Sequence, residues 1–155
     1  MPELDRLNFL IGRWRGKAEN QFGEEGVLES SSECKKVLEG RFLRWEGETR
    51  KNGSLLNQSV QFVGYDSAQR NYVFKRMWSY GFIENGTGNW QDDSTLMFDI
   101  NSVDNKPAWF EGMQWRSFIR RYGDNEIGHG LYASKQGGPF ELYGETRVQR
   151  ERTSR

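Results

Sequence analysis

The chain predicts an all-β protein: one antiparallel barrel of about ten strands, closed by a short N-terminal helix, with residues 1–155 forming a single domain. Three observations carry this. From Gly12 the sequence alternates by twos, with Trp14, Gly16, Ala18, Asn20 and Phe22 on one face and Arg13, Arg15, Lys17, Glu19 and Gln21 on the other. Turn signals then recur at short, even intervals to the end of the chain. The interior is built from rings, because aromatic residues make up 14% of a chain whose hydrophobic content is only 35%, and each ring buries a large planar area.

Leu4, Leu7 and Leu10 fall on one side of the helix that precedes the first strand. A strand with one apolar and one charged face belongs to an antiparallel sheet buried on one side only. The second strand, Glu25 to Leu38, is unusually polar, with Leu28, Ser30, Ser32 and Cys34 as its milder face. A dry core would not select serines there, whereas a wet or ligand-filled interior would. Asn52-Gly53 is the clearest hairpin signal, since both residues tolerate the positive φ of a type I′ turn. The fourth strand leaves its facing open between Leu56, Gln58, Val60, Phe62 and Leu55, Asn57, Ser59, Gln61, Val63. Tyr72, Phe74, Arg76, Trp78 and Tyr80 share a face of the fifth strand, and Trp109, Glu111, Met113, Trp115 and Ser117 share a face of the eighth. The last strand divides between Phe140, Leu142, Gly144, Thr146, Val148 and Glu141, Tyr143, Glu145, Arg147, Gln149, and the cationic run Arg147 to Arg155 reads as its frayed, solvated end.

Composition excludes several classes. Lys plus Arg equals Asp plus Glu at 22 each and the charges are interspersed, so neither a nucleic acid nor an anionic membrane is an expected partner. The N-terminus carries no signal-peptide pattern and no stretch has the length of a membrane span, so a cytoplasmic protein is expected. The single cysteine, Cys34, cannot form an internal disulfide and has no His-Asp companions for covalent catalysis. One His and one Cys far apart do not make a metal site, and no Gly-rich phosphate loop opens a helix.

Two charges stand among rings. Arg76 lies between Phe74 and Trp78, and Glu111 between Trp109 and Met113, so each needs an opposite charge, from the other or from a ligand. The candidate ligand site is therefore Phe74, Arg76, Trp78 and Tyr80 on one wall, with Glu111, Met113 and Trp115 opposite and Trp45 from the third strand. His129, the only histidine, sits between Gly128 and Gly130 on the ninth strand; it reads as a partly exposed strand residue, with haem ligation or base catalysis as the functional alternative.

The helix, Gly12-x-Trp14 and the alternating strand together resemble the opening of the calycin barrels: lipocalins, fatty-acid-binding proteins and nitrobindin-like proteins. The spacing Leu4, Leu7, Leu10 or Ile11, Gly12, Trp14, Gly16 is similar to nitrobindin and to bacterial domains of unknown function. Leu38 to Leu43, Val63 to Asp66 and Gly144 to Arg147 look closer to the latter. The resemblance implies barrel closure by an Arg of the last strand, Arg147 or Arg150, stacked on Trp14. It also implies that an inward Arg76 can hold a carboxylate, as in fatty-acid-binding barrels. Nitrobindins bind haem through a His just after a late Pro. Here Pro139 is followed by Phe140, Glu141, Leu142 and Tyr143, so haem is not carried over and only His129 remains for it. The expected function is binding of a small, largely apolar ligand that can bear a carboxylate, with no cofactor. A haem enzyme and a closed module that self-associates through its outer face as a homodimer are the alternatives.

Overall fold

The computed structural model describes residues 2–152, and the tail residues 153–155 named above lie outside the described residues. The N-terminal segment is shorter as a helix than the leucine spacing suggests. α1 (Pro2–Asp5) is followed by a separate 3-10 turn at Asn8–Leu10. The leucines nevertheless do what the spacing predicts: Leu4, Leu7 and Leu10 are all buried, each contributing roughly 1.5–3 kcal/mol by leaving water.

Ten strands follow: β1 (Gly12–Glu19), β2 (Val27–Val37), β3 (Phe42–Lys51), β4 (Ser54–Asp66), β5 (Asn71–Trp78), β6 (Ile83–Trp90), β7 (Thr95–Asp104), β8 (Met113–Arg121), β9 (Glu126–Lys135) and β10 (Glu141–Arg150). Each pairs antiparallel with its sequence neighbours, and β1 pairs with both β2 and β10, so the sheet closes into a barrel. Closure leaves no strand edge exposed. Asn52 and Gly53 both hold positive φ, 53° and 78°, as the hairpin signal requires. No helix among the described residues is long and apolar enough to cross a membrane.

Antiparallel order gives the barrel two unlike ends. The N-terminal segment plugs the end where β1 starts and β10 finishes. There Trp14 is fully buried, donates from Nε1 to the Leu10 carbonyl at 2.8 Å, and lies under the Arg150 guanidinium at 4.4 Å. Arg150 also donates to the backbone carbonyls of Phe9, Ile11 and Asp124. Arg147, the other candidate, points outward, stacking on Tyr122 and pairing with Glu126. The reason is parity: in β10 the inward positions are Thr146 and Val148, both buried, so Arg147 takes the outer face. Both arginines are held in or at the end of a paired strand, not in a frayed tail.

Above the plug the interior fills with Phe74, Phe98, Leu43, Val63, Leu96 and Ile127. Gly86 and Gly88 make room for this layer, since a Cβ on either would lie 2.1 Å from the Phe74 ring or 2.2 Å from the Met97 carbonyl. A second apolar cluster, Phe82, Phe110 and Trp115, sits toward the opposite end. Between the two the barrel is open.

Candidate functional site

A cavity of about 390 Å³ occupies the half of the barrel away from the plug. Its polarity follows from strand parity. Leu28, Ser30 and Ser32 of β2 and Asn57, Ser59 and Gln61 of β4 line it, which settles the fourth strand's facing from Asn57 onward, and Leu56 joins them where the β3–β4 register shifts; the serines of the second strand thus face a ligand-sized space. Its floor is made by two residues that meet across the lumen. Trp45 of β3 and His129 of β9, on strands that are not neighbours, pack edge to face with ring centroids 5.6 Å apart.

Arg76 lies on the wall. It sits opposite Gln61 on one side and Glu84 on the other in the strand register. Its Nε donates to Glu84 Oε1 at 2.8 Å, and Nη1 reaches Ser117 Oγ on β8 at 3.3 Å. Trp78 Nε1 donates to the same Glu84 oxygen. Both members of the ion pair are buried, Arg76 at 9% exposure and Glu84 at 3%. A buried ion pair holds only where the remaining donors find acceptors, and here one does not. Arg76 Nη2 has no hydrogen-bond partner among the described residues, and neither has Trp115 Nε1. Trp115 is two residues from Ser117 on the same face of β8, so the two unsatisfied donors belong to one region of the wall.

His129 borders the cavity. Burial, and then the charge of Arg76, push its pKa down to about 4, so the imidazole is neutral at pH 7. Burial pushes the Cys34 thiol up to about 12, so it offers no thiolate at neutral pH. Among the described residues no three His, Cys, Asp or Glu side chains are grouped to hold a metal.

The open end is rimmed by rings. Trp78, Tyr80 and Phe82 form one series, with Tyr80 and Phe82 inclined by only 8°. Trp109 stacks on Phe110 with centroids 4.4 Å apart, and Tyr143 meets Trp115 edge to face. Tyr80 and Trp109 stay more than half exposed, at 57% and 60%.

The model of the family described as "Protein of unknown function (DUF1579)" matches residues 2–150. The chain belongs to that family. No curated protein matches this DUF1579 member. Among solved structures it is similar to Rv2717c from M. tuberculosis, with a TM-score of 0.68 and 18% identity over 98% of this chain and 99% of that one. It is also similar to the S-type phycobiliprotein lyase CPES from Guillardia theta, with a TM-score of 0.60 and 13% identity over 99% of this chain and 93% of the other. At these identities the likeness is one of fold, and one fold hosts many activities.

Of the residues singled out from sequence, Trp45, Arg76, Trp78, Tyr80, Trp115 and His129 come together around the cavity. Phe74 is one layer deeper, tilted against Phe98 in the core. Glu111 is exposed, because the alternation expected through residues 109–117 breaks at a 3-10 turn over Ala108–Phe110 and at Gly112, whose φ is +73°. β8 starts only at Met113, which packs half-buried against the Phe82, Phe110 and Trp115 cluster. Glu111 therefore cannot pair with Arg76, and Glu84 does so instead.

Sequence reasoning missed Glu84 because it shares its face with Gly86 and Gly88, and a face of one acid and two glycines does not read as interior. The signal was there in the glycines, which are needed where rings crowd the backbone. Tyr143, which alternation puts on the face of Glu141, Glu145 and Arg147, lies where the register shifts between Leu142 and Gly144. That irregularity turns Tyr143 to the mouth and leaves Leu142 53% exposed. His129, expected on a partly exposed strand, faces inward by the same parity that buries Ile127.

Proposed function

We propose that the barrel binds a small, largely apolar molecule non-covalently in its cavity, with the polar end of that molecule accepting hydrogen bonds from Arg76. The observation that carries the reading is the pair of buried donors, Arg76 Nη2 and Trp115 Nε1, without acceptors among the described residues. A buried donor left unsatisfied costs about 1–3 kcal/mol, and native interiors retain few of them. Guanidinium and indole nitrogens have no acceptor capacity, so the complementary group must be an acceptor, such as a carboxylate or a carbonyl oxygen. The ring-lined mouth provides the apolar surface for the rest of the molecule, and the fold similarity to a phycobiliprotein lyase supports ligand binding in general terms.

The second reading, haem held by His129, is favoured by one observation: the imidazole is neutral and borders the cavity. Against it, the imidazole is already packed on Trp45 in a T-shaped contact with ring centroids 5.6 Å apart.

The neutral fluorophore N-phenyl-1-naphthylamine tests the reading. Its emission is expected to rise saturably at one equivalent per chain, and Ser59→Phe, which fills the lumen from β4, is expected to abolish the rise while leaving the circular dichroism unchanged. No saturable signal with the wild-type protein contradicts ligand binding in the cavity. A one-to-one Soret shift with haemin that is lost in His129→Ala moves the assignment to the second reading.

A further inference from the structure

The cavity already contains the counter-charge that an inward arginine would otherwise seek. Glu84 sits directly opposite Arg76 on the adjacent strand, accepts a hydrogen bond from its Nε at 2.8 Å, and is anchored a second time by Trp78 Nε1. Arg76 and Glu84 together therefore present no net charge to the lumen. The other charged side chains lining the cavity are both carboxylates: Glu24, paired with Lys51 at 2.8 Å, and Glu48, paired with Arg50 at 2.9 Å. His129 adds no positive charge at neutral pH.

The geometry points to Glu84 as the residue that sets ligand class, making this a site for a neutral carbonyl compound, such as an amide, ketone or ester on an apolar ring system, and not for a carboxylate. The inference rests on the reading of the cavity as a ligand site and makes the polar end of the ligand specific. A carboxylate on Arg76 Nη2 would share one guanidinium with Glu84, leaving a net negative charge in the barrel with no second Lys or Arg among the described lining residues to compensate it. A neutral carbonyl accepts from Nη2 or from Trp115 Nε1 without that cost. The two donors without acceptors, Arg76 Nη2 and Trp115 Nε1, have nothing to offer a cationic group. This is the reverse of what an unpaired inward arginine would select.

Three probes of common shape separate the possibilities: 2-naphthamide, 2-naphthoate and 2-methylnaphthalene, titrated by calorimetry at pH 7 into the full-length protein. The amide is expected to bind at least tenfold more tightly than the carboxylate, and more tightly than the hydrocarbon. Glu84→Gln keeps the shape of the side chain and removes its charge, so it is expected to raise naphthoate affinity tenfold or more and to invert the order. Trp115→Phe, which removes one donor and no charge, is expected to weaken the amide severalfold and leave 2-methylnaphthalene unchanged, so the inference stays testable even where Glu84→Gln does not fold. Naphthoate binding as tightly as naphthamide to the wild-type protein overturns the inference and leaves the ligand site standing. Binding of none of the three overturns the ligand site itself.

Discussion

Arg76 and His129 show how far a single side chain is defined by what lies across the lumen. An arginine at position 76 reads, from its own strand, as a charge waiting for an anion. Glu84 opposite it changes the meaning of that charge, and Ser117 on β8 uses a second nitrogen. His129 packs on Trp45 from across the barrel and is kept neutral by burial first and then by the charge of Arg76. Its depressed pKa has a direct consequence for stability. In the unfolded chain the imidazole takes up a proton below about pH 6.5, whereas in the folded barrel it resists doing so until about pH 4. The unfolded state therefore binds more protons in that window, and stability is complete above it and falls as the pH drops through it. Urea denaturation at pH 7 and pH 4.5 is expected to show a larger loss for the wild-type protein than for His129→Gln. The difference is about 3 kcal/mol at most, since water in the cavity offsets part of the burial. Exposed carboxylates with lowered pKa, such as Asp5 and Glu33, titrate in both proteins and cancel. Parallel losses in the two proteins would contradict a neutral His129 facing the lumen.

At the scale of elements, the plug and the last strand are joined through Arg150. Its guanidinium covers Trp14 and ties the carbonyls of Phe9, Ile11 and Asp124, so two segments distant in sequence, residues 9–14 and the turn at Asp124, are joined to the last strand by one side chain. Arg150→Ala is expected to cost about 2–4 kcal/mol, the scale of several charge-assisted hydrogen bonds lost together with a cation–π contact. Arg147→Ala removes only exposed contacts and is expected to stay within about 1 kcal/mol. Equal losses in chemical denaturation would contradict closure by Arg150. These elements also mark where the sequence was legible. The ten strands, the plug and Asn52-Gly53 follow from alternation and turn chemistry, which are local signals. Glu111 leaves its expected face because a 3-10 turn before β8 shifts the parity by which faces are read, and the irregular register in β10 does the same at Tyr143. A period of two carries no warning of such a slip. Glu84 was missed for a different reason: Gly86 and Gly88 beside it mark an inward face only when read as room for rings, and its partner Arg76 lies on a neighbouring strand.

Across the whole molecule, two interior layers do different work. The half that holds the plug, Phe74 and Phe98 is packed and supplies stability. The other half is walled by serines, Asn57 and Gln61 and rimmed by Trp78, Tyr80, Trp109 and Tyr143, so it holds space where a protein selected only for stability would hold side chains. The polar belt of Arg76, Glu84 and Ser117 lies where these halves meet, which places Arg76 Nη2 deep in the cavity and the rings, Trp115 among them, toward its entrance. A bound molecule is therefore expected to enter with its acceptor leading. A crystal structure of the protein with 2-naphthamide tests this most directly. The account predicts the amide oxygen within hydrogen-bonding distance of Arg76 Nη2 or Trp115 Nε1, with the naphthalene against the rings of the mouth. An amide turned toward solvent, or a probe found only on the outer face of the barrel, would contradict it.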